Sequence, residues 1–492
     1  MLTLVRELSM IVMLFLAAAC ASSRPAPPAK PTHRPNIVLV VVDDLGWADL
    51  GCCGSVFYET PNIDRLARQG MRFTHAYAAC AVCSPTRASV MTGRYPARIG
   101  ITDWIRPLAG TEWTEDEIRA QPDDVEDPRR RLLAPRNPRW MEHHEITIAE
   151  LLKQHGYATG FIGKWHLGPE GWFPEDQGFD CNVGGCDLGH PPHYFDPYPA
   201  KHQRTTFPNL APRRAGEYLT DREADEAVRF IREHAAQPFF LCLCHYAVHS
   251  PIQARRELIE HYEVKPKPEG DGQDYAPYAA MVHSVDDTMG RILHALEDLA
   301  VADETLIIFT SDNGGATHFR ATDNRPLRSG KGRPYEGGIR VPLLVRWPAR
   351  VPAGVEREVP VCTIDLLPTI CDALGIDIPR DRPIDGVTLM PLLTAGGSIG
   401  PRALFWHYPH YWWGQHVRPY SIVRAANWKL IKHYEDDRVE LYDLERDPSE
   451  RRDLSTIAPE KAAELDVLLV DWLREVGAKL PRANPAYRAA GE

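Results

Sequence analysis

Two pairs of polar residues stand where predicted strands end, and together they could bind a metal ion. Asp43 and Asp44 follow the apolar run Asn36–Val42, and Asp312 and Asn313 follow a second run of the same kind. Adjacent carboxylates in a buried place repel each other and lose hydration unless a cation joins them. Their oxygens suit a hard cation such as Ca²⁺ or Mg²⁺. Either pair alone is more often a helix cap or a turn, so the prediction depends on the two pairs meeting.

A cysteine in the segment Cys-Ser-Pro-Thr-Arg stands at a predicted helix start. Ser84 suits the N-cap and Pro85 suits the first helical position. Cys83 would then lie where free N–H groups and the helix dipole favour anionic groups. Arg87, four residues further, can point back along the same helix face. A buried cysteine with a purely structural role is the alternative.

Further basic residues stand beside glycines or after an apolar run. Lys164 and His166 are two residues apart, so in an extended chain both point to the same side. His249 follows a third apolar run, and Lys331 lies between two glycines. A single lysine or histidine of this kind is more often structural or solvated. The functional interpretation therefore depends on their joint presence.

Hydrophobic patterns predict the elements that must position these residues. The runs 36–42, 238–244 and 305–310 are continuously apolar, which indicates strands buried on both faces. Residues 146–155 and 278–299 have helical periodicity. Strands that alternate with helices predict an α/β fold, with a large and mostly parallel sheet between helices. Ligand sites of such sheets lie beyond the carboxyl ends of the strands, where the acidic pairs stand.

The pattern of apolar and polar residues changes after Leu392. Short strand-like runs and a helical pattern at 459–476 predict a smaller antiparallel sheet with a helix. Two segments, 112–139 and 191–214, are rich in Pro, Arg and acidic residues, and we expect them to be long surface loops. The predicted organisation is a signal peptide, a Pro-rich tether, a catalytic domain and a C-terminal α+β domain, at 1–20, 21–35, 36–392 and 393–492.

The composition is globular and narrows the range of functions. Of the 492 residues, 44% are apolar and 25% are charged, and the formal net charge is −11. Lys and Arg are dispersed along the chain, which argues against nucleic-acid binding, because a phosphate backbone needs a concentrated basic face. The eleven cysteines show no zinc-type spacing with histidines. A disulfide, for example between Cys181 and Cys186, is compatible with export.

The first twenty residues predict export from the cell. An apolar core at 10–19 follows Arg6 and ends in small residues, as a cleaved signal does. Residues 16–20 resemble a bacterial lipobox, in which Cys20 would carry the lipid that anchors the chain to a membrane. Plain cleavage beside an incidental cysteine is an equal alternative. We therefore expect an exported protein that is periplasmic, lipid-anchored or secreted.

The motifs together resemble those of the type I sulfatase family. Cys-x-Pro-x-Arg with the following Thr-Gly-Arg resembles the signature of that family, and the segment 163–168, Gly-Lys-Trp-His-Leu-Gly, resembles a second motif. The histidine segment 246–251 and the lysine loop 330–342 follow in the order that the family has. Met91 departs from the usual leucine, and Val248 departs from the usual proline.

The resemblance covers nearly all of 35–392, and the C-terminal runs 428–431 and 440–444 also look like sulfatase strands. Within the family, the chain is similar to the arylsulfatase A and N-acetylgalactosamine-6-sulfatase type. The resemblance implies the mixed sheet of the alkaline phosphatase superfamily. It also implies a sulfuric ester hydrolase.

The resemblance implies that a maturation enzyme oxidises Cys83 to formylglycine. It also implies a calcium ion, with Mg²⁺ as the less favoured choice. An oxygen of the modified residue would bind the ion together with four side chains: Asp43, Asp44, Asp312 and Asn313.

The resemblance assigns roles to the basic residues as well. Arg87 would orient the formylglycine hydrate, and His166 would be the base of the second step. One hydroxyl of the hydrate would attack sulfur and become sulfated. The other hydroxyl would later lose its proton, so that the bond between the carbon and the sulfated oxygen breaks and sulfate leaves. Lys164, His249 and Lys331 would hold the sulfate oxygens. Whether His249 or Lys331 protonates the leaving alcohol stays open.

A sulfated carbohydrate is the substrate that the resemblance favours. The aromatic and histidine-rich stretches 190–194 and 406–413 could stack on sugar rings, although Trp412 and Trp413 could equally pack between domains. Phosphonate monoester and phosphodiester hydrolases share the cysteine signature and are one alternative. A non-catalytic protein that binds sulfated glycans with an unmodified Cys83 is another.

Overall fold

The apolar run Asn36–Val42 forms strand β1, in which every residue is buried. Its side chains alternate between two cores: Val38 and Val40 face one, whereas Ile37 and Leu39 face the other. A strand that is apolar on both faces can be stable only between two covering layers. The sequence prediction of a strand buried on both faces is therefore confirmed.

The computed structural model describes residues 34–108, 114–198, 207–211, 214–269, 272–317, 321–394, 396–412 and 416–488. The predicted signal peptide, Cys20, and the predicted tether up to residue 33 lie outside these residues and stay predictions. Within the described part of the chain, no helix has both the length and the apolar character needed to cross a membrane.

Strands and helices follow one another along the described residues. The strands are β1 Asn36–Val42, β2 Met71–Phe73, β3 Ala76–Tyr77, β4 Asp124–Val125, β5 Leu132–Pro135, β6 Ala158–Gly163, β7 Cys181–Val183, β8 Phe239–Cys244, β9 Thr305–Ser311, β10 Leu343–Arg346, β11 Val355–Arg357, β12 Val361–Cys362, β13 Ala403–Tyr408, β14 Tyr420–Ala425, β15 Trp428–His433, β16 Val439–Asp443 and β17 Arg482–Ala483. The helices are α1 Pro61–Gln69, α2 Cys83–Thr92, α3 Pro96–Ile99, α4 Glu115–Arg119, α5 Ile148–Gln154, α6 Leu219–His234, α7 Arg256–Glu263, α8 Ala276–Asp298, α9 Glu336–Ile339, α10 Leu366–Leu374, α11 Met390–Leu393 and α12 Pro459–Glu475.

The large sheet has eight strands in the order β11-β2-β10-β9-β1-β8-β6-β7. β1 lies near its middle and is parallel to both β8 and β9, whereas β10 is antiparallel to its neighbours. Helices α1, α6 and α8 pack on one face, and α2, α5 and α10 pack on the other. The predicted mixed, mostly parallel sheet between helices is confirmed.

The smaller sheet is antiparallel in the order β13-β14-β15-β16. Helix α12 packs on it through Leu465, Leu469 and Trp472. This sheet and helix confirm the predicted elements of the C-terminal region. The described residues from Pro35 onward form one compact unit, and the predicted domain boundary at Leu392 stays a prediction.

The predicted surface loop 112–139 contains regular structure that the sequence did not reveal. It includes helix α4 and the strand pair β4–β5, and β17 from the end of the chain pairs with β5. Strands of two to four residues are too short for a hydrophobic period to predict them.

The ten cysteines among the described residues are all unbonded. The disulfide between Cys181 and Cys186 that the sequence allowed is therefore not formed. Cys181 is half-buried on β7, whereas Cys186 is buried with its Sγ 3.8 Å from Tyr246 Oη. The two side chains thus occupy different surroundings.

A buried ion network joins the smaller sheet to helix α9. Lys429 Nζ on β15 lies 3.0 Å from Glu336 Oε1 on α9 and 2.8 Å from Glu450 Oε1. Burial, together with the charge of Glu336, raises the pKa of Glu450 to about 7 in spite of Lys429. One ammonium thus stabilises two carboxylates that have lost their hydration.

Lys429→Met should lower the free energy of unfolding by about 3–5 kcal/mol, because it removes the cation that lies between two buried carboxylates. The control is Lys432→Met on the same strand, whose partner Asp466 is partly exposed. We expect that change to cost less than about 1 kcal/mol. Urea unfolding followed by circular dichroism measures both, and equal effects would contradict a structural role for the network.

Candidate active site

The acidic pairs meet because β1 and β9 are parallel neighbours in register, with Val42 opposite Ser311. The residues that follow these strands therefore leave the same edge of the sheet. The backbone N–H of Asp44 donates to Asp312 Oδ1 at 3.2 Å, and Asn313 Nδ2 donates to Asp44 Oδ1 at 2.8 Å. The predicted convergence of the two pairs is confirmed.

Cys83 is the first residue of helix α2 and is 3% exposed. The helix therefore begins at Cys83, two residues before the predicted first helical residue Pro85, and the N-cap is Val82 and not Ser84. The hydroxyl of Ser84 instead donates to the carbonyl of His166 and accepts from the N–H of Ile105, both at 2.9 Å. Ser84 thus joins the helix start to two neighbouring loops.

Each of the three buried carboxylates has a cation beside it. Lys164 Nζ lies 2.6 Å from Asp43 Oδ2, and Lys331 Nζ lies 2.6 Å from Asp44 Oδ1. Nε and NH2 of Arg87 lie 2.9 and 2.7 Å from Asp312 Oδ2. Arg87 also donates to the carbonyl of Lys164 at 2.7 Å. Lys164 is 0% exposed. Its predicted contact with sulfate stays a prediction.

The two adjacent aspartates respond differently to burial. Burial raises the pKa of Asp43 well above its usual range, although Lys164 opposes the effect. Burial would also raise the pKa of Asp44, but the ammonium of Lys331 holds it well below that range. Asp44 is therefore ionised in this arrangement.

Three buried oxygens at this edge have no hydrogen-bond donor: Asp43 Oδ1, Asp44 Oδ2 and Asn313 Oδ1. Ligand atoms of Asp43, Asp44, Cys83 and His249 all lie within 4.8 Å of one another. Buried acceptors without a donor are costly, and a hard cation is the partner that carboxylate and amide oxygens suit. The oxygens of Asp43, Asp44 and Asn313 therefore fit a hard cation such as Ca²⁺ or Mg²⁺.

Asp312 differs from the other predicted ligands. Its Oδ1 accepts from the N–H of Asp44, and its Oδ2 accepts from Arg87. Its part in metal binding stays a prediction. The thiol of Cys83 is also a soft ligand, which a hard cation does not favour.

Two histidines face the same cavity as Cys83, and both are neutral. Burial lowers the pKa of His166 and of His249 well below the usual range, and nearby lysine charges add to the effect. Nε2 of His166 donates to the carbonyl of Ile105 at 2.7 Å, which leaves a lone pair on its unpartnered Nδ1. Nδ1 of His249 donates to the carbonyl of Ser250 at 2.8 Å. Each ring therefore keeps one nitrogen that can accept a proton.

A cavity of about 190 Å³ opens above Cys83. Four of the candidate site residues from the sequence line this cavity: Cys83, His166, His249 and Lys331. Its remaining walls are Val82, Trp104, Pro107, Gly189, His190 and Trp412. The cavity thus combines charged and titratable groups with flat apolar walls.

The sequence interpretation missed Trp104 and Pro107, because the segment around them carries no motif. His190 stands in a stretch that the sequence predicts to border the site, and its ring stacks on that of His249 at 5.7 Å. Trp412 lines the cavity and also covers Gly332 of the lysine loop. Trp413 lies outside the described residues.

The mixed sheet, the metal-fitted strand ends and the cavity define a hydrolase with the alkaline phosphatase-like fold. Residues 35–376 match the sulfatase family, and residues 331–477 match the C-terminal region of N-sulphoglucosamine sulphohydrolase. The chain therefore belongs to the sulfatase family. It is a sulfuric ester hydrolase.

Individual relatives agree with this assignment. N-acetylgalactosamine-6-sulfatase from Canis lupus familiaris is 32% identical over 93% of this chain and 87% of its own length. Arylsulfatase A from Homo sapiens is 34% identical over 85% of this chain and 77% of its own length. The crystal structure of Ps i-CgsB in complex with k-i-k-neocarrahexaose has a TM-score of 0.74 and 29% identity, and the match covers 92% of this chain and 95% of that one.

Calcium should stabilise the protein, because it would bind buried oxygens that only the folded chain brings together. At a free concentration a hundredfold above Kd, we expect a gain of about 2.7 kcal/mol, measured as a rise in Tm. Asp43→Asn should abolish most of this gain. The exposed change Asp180→Asn should retain it, and an equal response of both variants would place the ion elsewhere.

Proposed function

We propose that this chain hydrolyses sulfate esters of carbohydrates, with a formylglycine at position 83 and a bound Ca²⁺. The position of Cys83 carries the proposal: its side chain lies within 4.8 Å of ligand atoms of Asp43, Asp44 and His249. A thiol is a poor neighbour for a hard cation, whereas an oxygen at the same position would suit it. A formylglycine hydrate beside a bound cation would supply an oxygen nucleophile for sulfur and a second hydroxyl for the release of sulfate.

The surrounding residues have the chemistry that such a reaction needs. Lys331 carries a positive charge at the cavity wall and can bind an anionic sulfate oxygen. Nδ1 of neutral His166 can accept a proton in the release step. Arg87 holds Asp312 and the backbone of Lys164, which keeps the strand ends in place. We assign the acid role to Lys331, because neutral His249 has its proton on Nδ1, bonded to Ser250.

Two observations support a carbohydrate substrate. Trp104 and Trp412 form flat walls of the cavity, and aromatic faces stack on the apolar faces of sugar rings. The relatives named above include an N-acetylgalactosamine-6-sulfatase and a protein solved with k-i-k-neocarrahexaose. The aromatic walls of the cavity and the names of the relatives therefore both support a sulfated sugar as the substrate.

Mass spectrometry of the peptide that contains residue 83, from protein made in its native host, tests the nucleophile. We expect an aldehyde in place of the thiol, and we expect Cys83→Ala to lose hydrolysis of an aryl sulfate. The control Cys371→Ala removes a buried cysteine far along the chain and should keep the activity. A free thiol in active native protein would overturn the proposal. Faster hydrolysis of a matched aryl phosphonate would move it to the phosphonate alternative.

Lys331→Ala should slow an ester with a poor leaving group by about 10²- to 10⁴-fold more than an ester with a good one, because a general acid matters most when the alcohol leaves with difficulty. His249→Ala is the matched comparison and should slow both esters to a similar extent. Steady-state kcat values for the two esters measure the difference. A larger leaving-group effect in His249→Ala would transfer the acid role to His249.

A further inference from the structure

A second cavity, of about 270 Å³, lies next to the cavity above Cys83. Trp104 lines both. In the segment after Trp104, Arg106 lines the second cavity and Pro107 lines the first. Likewise, Tyr411 lines the second cavity and its neighbour Trp412 lines the first. Consecutive Cα atoms are about 3.8 Å apart, so the two cavities are separated by little more than these side chains.

Four arginines line the second cavity: Arg106, Arg130, Arg136 and Arg139. Among the described residues, neither Arg106 nor Arg139 has a carboxylate within ion-pair distance. Arg139 is half-buried, and NH1 of its guanidinium donates to the carbonyl of Arg106 at 3.3 Å. Burial, with the neighbouring charges of Arg106 and Arg136, lowers the pKa of Arg139. Such a cluster is unexpected in a chain with a net charge of −11.

Three acidic residues line this cavity, one fewer than the arginines. Asp103 accepts a hydrogen bond from Tyr408 at 2.8 Å, and burial raises its pKa to about 6. Asp127 is held by two nitrogens of Arg129, both at 2.9 Å, and it also pairs with Arg130. Glu126 is exposed. Among the described residues, Arg106 and Arg139 thus lie near acidic groups without forming an ion pair with them, and both guanidinium groups can bind an anion from outside the chain.

The walls of the cavity are held by hydrogen bonds. Asn137 Oδ1 accepts from the N–H groups of Thr102 and Asp103 at 2.9 and 3.0 Å, and Asn137 Nδ2 donates to the carbonyl of Asp103 at 2.8 Å. The guanidinium of Arg130 lies 4.8 Å from the centre of the Tyr411 ring. A site that is ordered before binding loses less entropy when the ligand arrives.

We propose that the second cavity binds a further anionic group, a sulfate or a carboxylate, on the sugar next to the one that is desulfated. This rests on the proposed function of the first cavity. Guanidinium groups bind sulfate and carboxylate oxygens in pairs, so Arg106 and Arg139 select for such a group. The preferred substrate is then an oligosaccharide with at least two negative groups.

Matched disaccharides test this subsite: one with a single sulfate at the scissile position, one with a second sulfate on the neighbouring sugar, and one with a carboxylate there. We expect the wild type to prefer at least one of the doubly charged substrates. In Arg139→Gln and in Arg106→Gln, the ratio of kcat/KM for doubly over singly charged substrate should fall about tenfold to a hundredfold, mainly through KM. Whether sulfate or carboxylate shows the larger ratio identifies the anion.

Arg131→Gln is the control, because Arg131 is exposed and stacks on Tyr487, away from the cavity. It should keep the wild-type ratio. A wild type that does not distinguish the substrates, or a ratio that Arg139→Gln leaves unchanged, would overturn the subsite. If the wild type hydrolyses no sulfate ester, the proposed function fails separately. Calorimetric binding of the disulfated disaccharide to Cys83→Ala, compared with Cys83→Ala that also carries Arg139→Gln, then still decides whether the cavity binds the second anion.

Discussion

The candidate site depends on the balance of charge at one buried edge of the sheet. The parallel register of β1 and β9 brings three carboxylates together, and each lies beside a cation of its own: Asp43 with Lys164, Asp44 with Lys331 and Asp312 with Arg87. Without these partners, the buried carboxylates would repel one another and the edge would be strongly destabilised. The cations come from three separate loops and helices, so the balance also fixes where those segments lie.

Much of this arrangement could be predicted from the sequence, because the hydrophobic pattern and the geometry of parallel strands place the same residues at one edge of the sheet. A continuous apolar run such as Asn36–Val42 predicts a strand between two layers, and parallel strands then bring the residues after them to one edge. Cys83 at a helix start follows from the proline two residues later. Helix α8 is predicted within two residues of its observed bounds, because it is long and periodic.

Other features could not be predicted, since they depend on contacts between distant segments. The strands β4, β5 and β17 are short, and β17 lies more than three hundred residues from its partner in the chain. Ser84 has the residue type of an N-cap, yet its hydroxyl bonds to His166 and Ile105 instead. Trp104 has no motif around it, and only the folded chain reveals that it lines two cavities.

The shape of the cavity above Cys83 depends on a position that has no side chain. Gly332 has a φ of 80°, and a Cβ there would lie 2.4 Å from the ring of Trp412. The indole therefore packs directly against the backbone next to Lys331, where it forms one wall of the cavity above Cys83. A methyl group at this one position would collide with the ring and displace this wall of the cavity without touching any reacting atom. Members of the family could thus diverge in the sugars they admit while every charged residue of the centre stays the same.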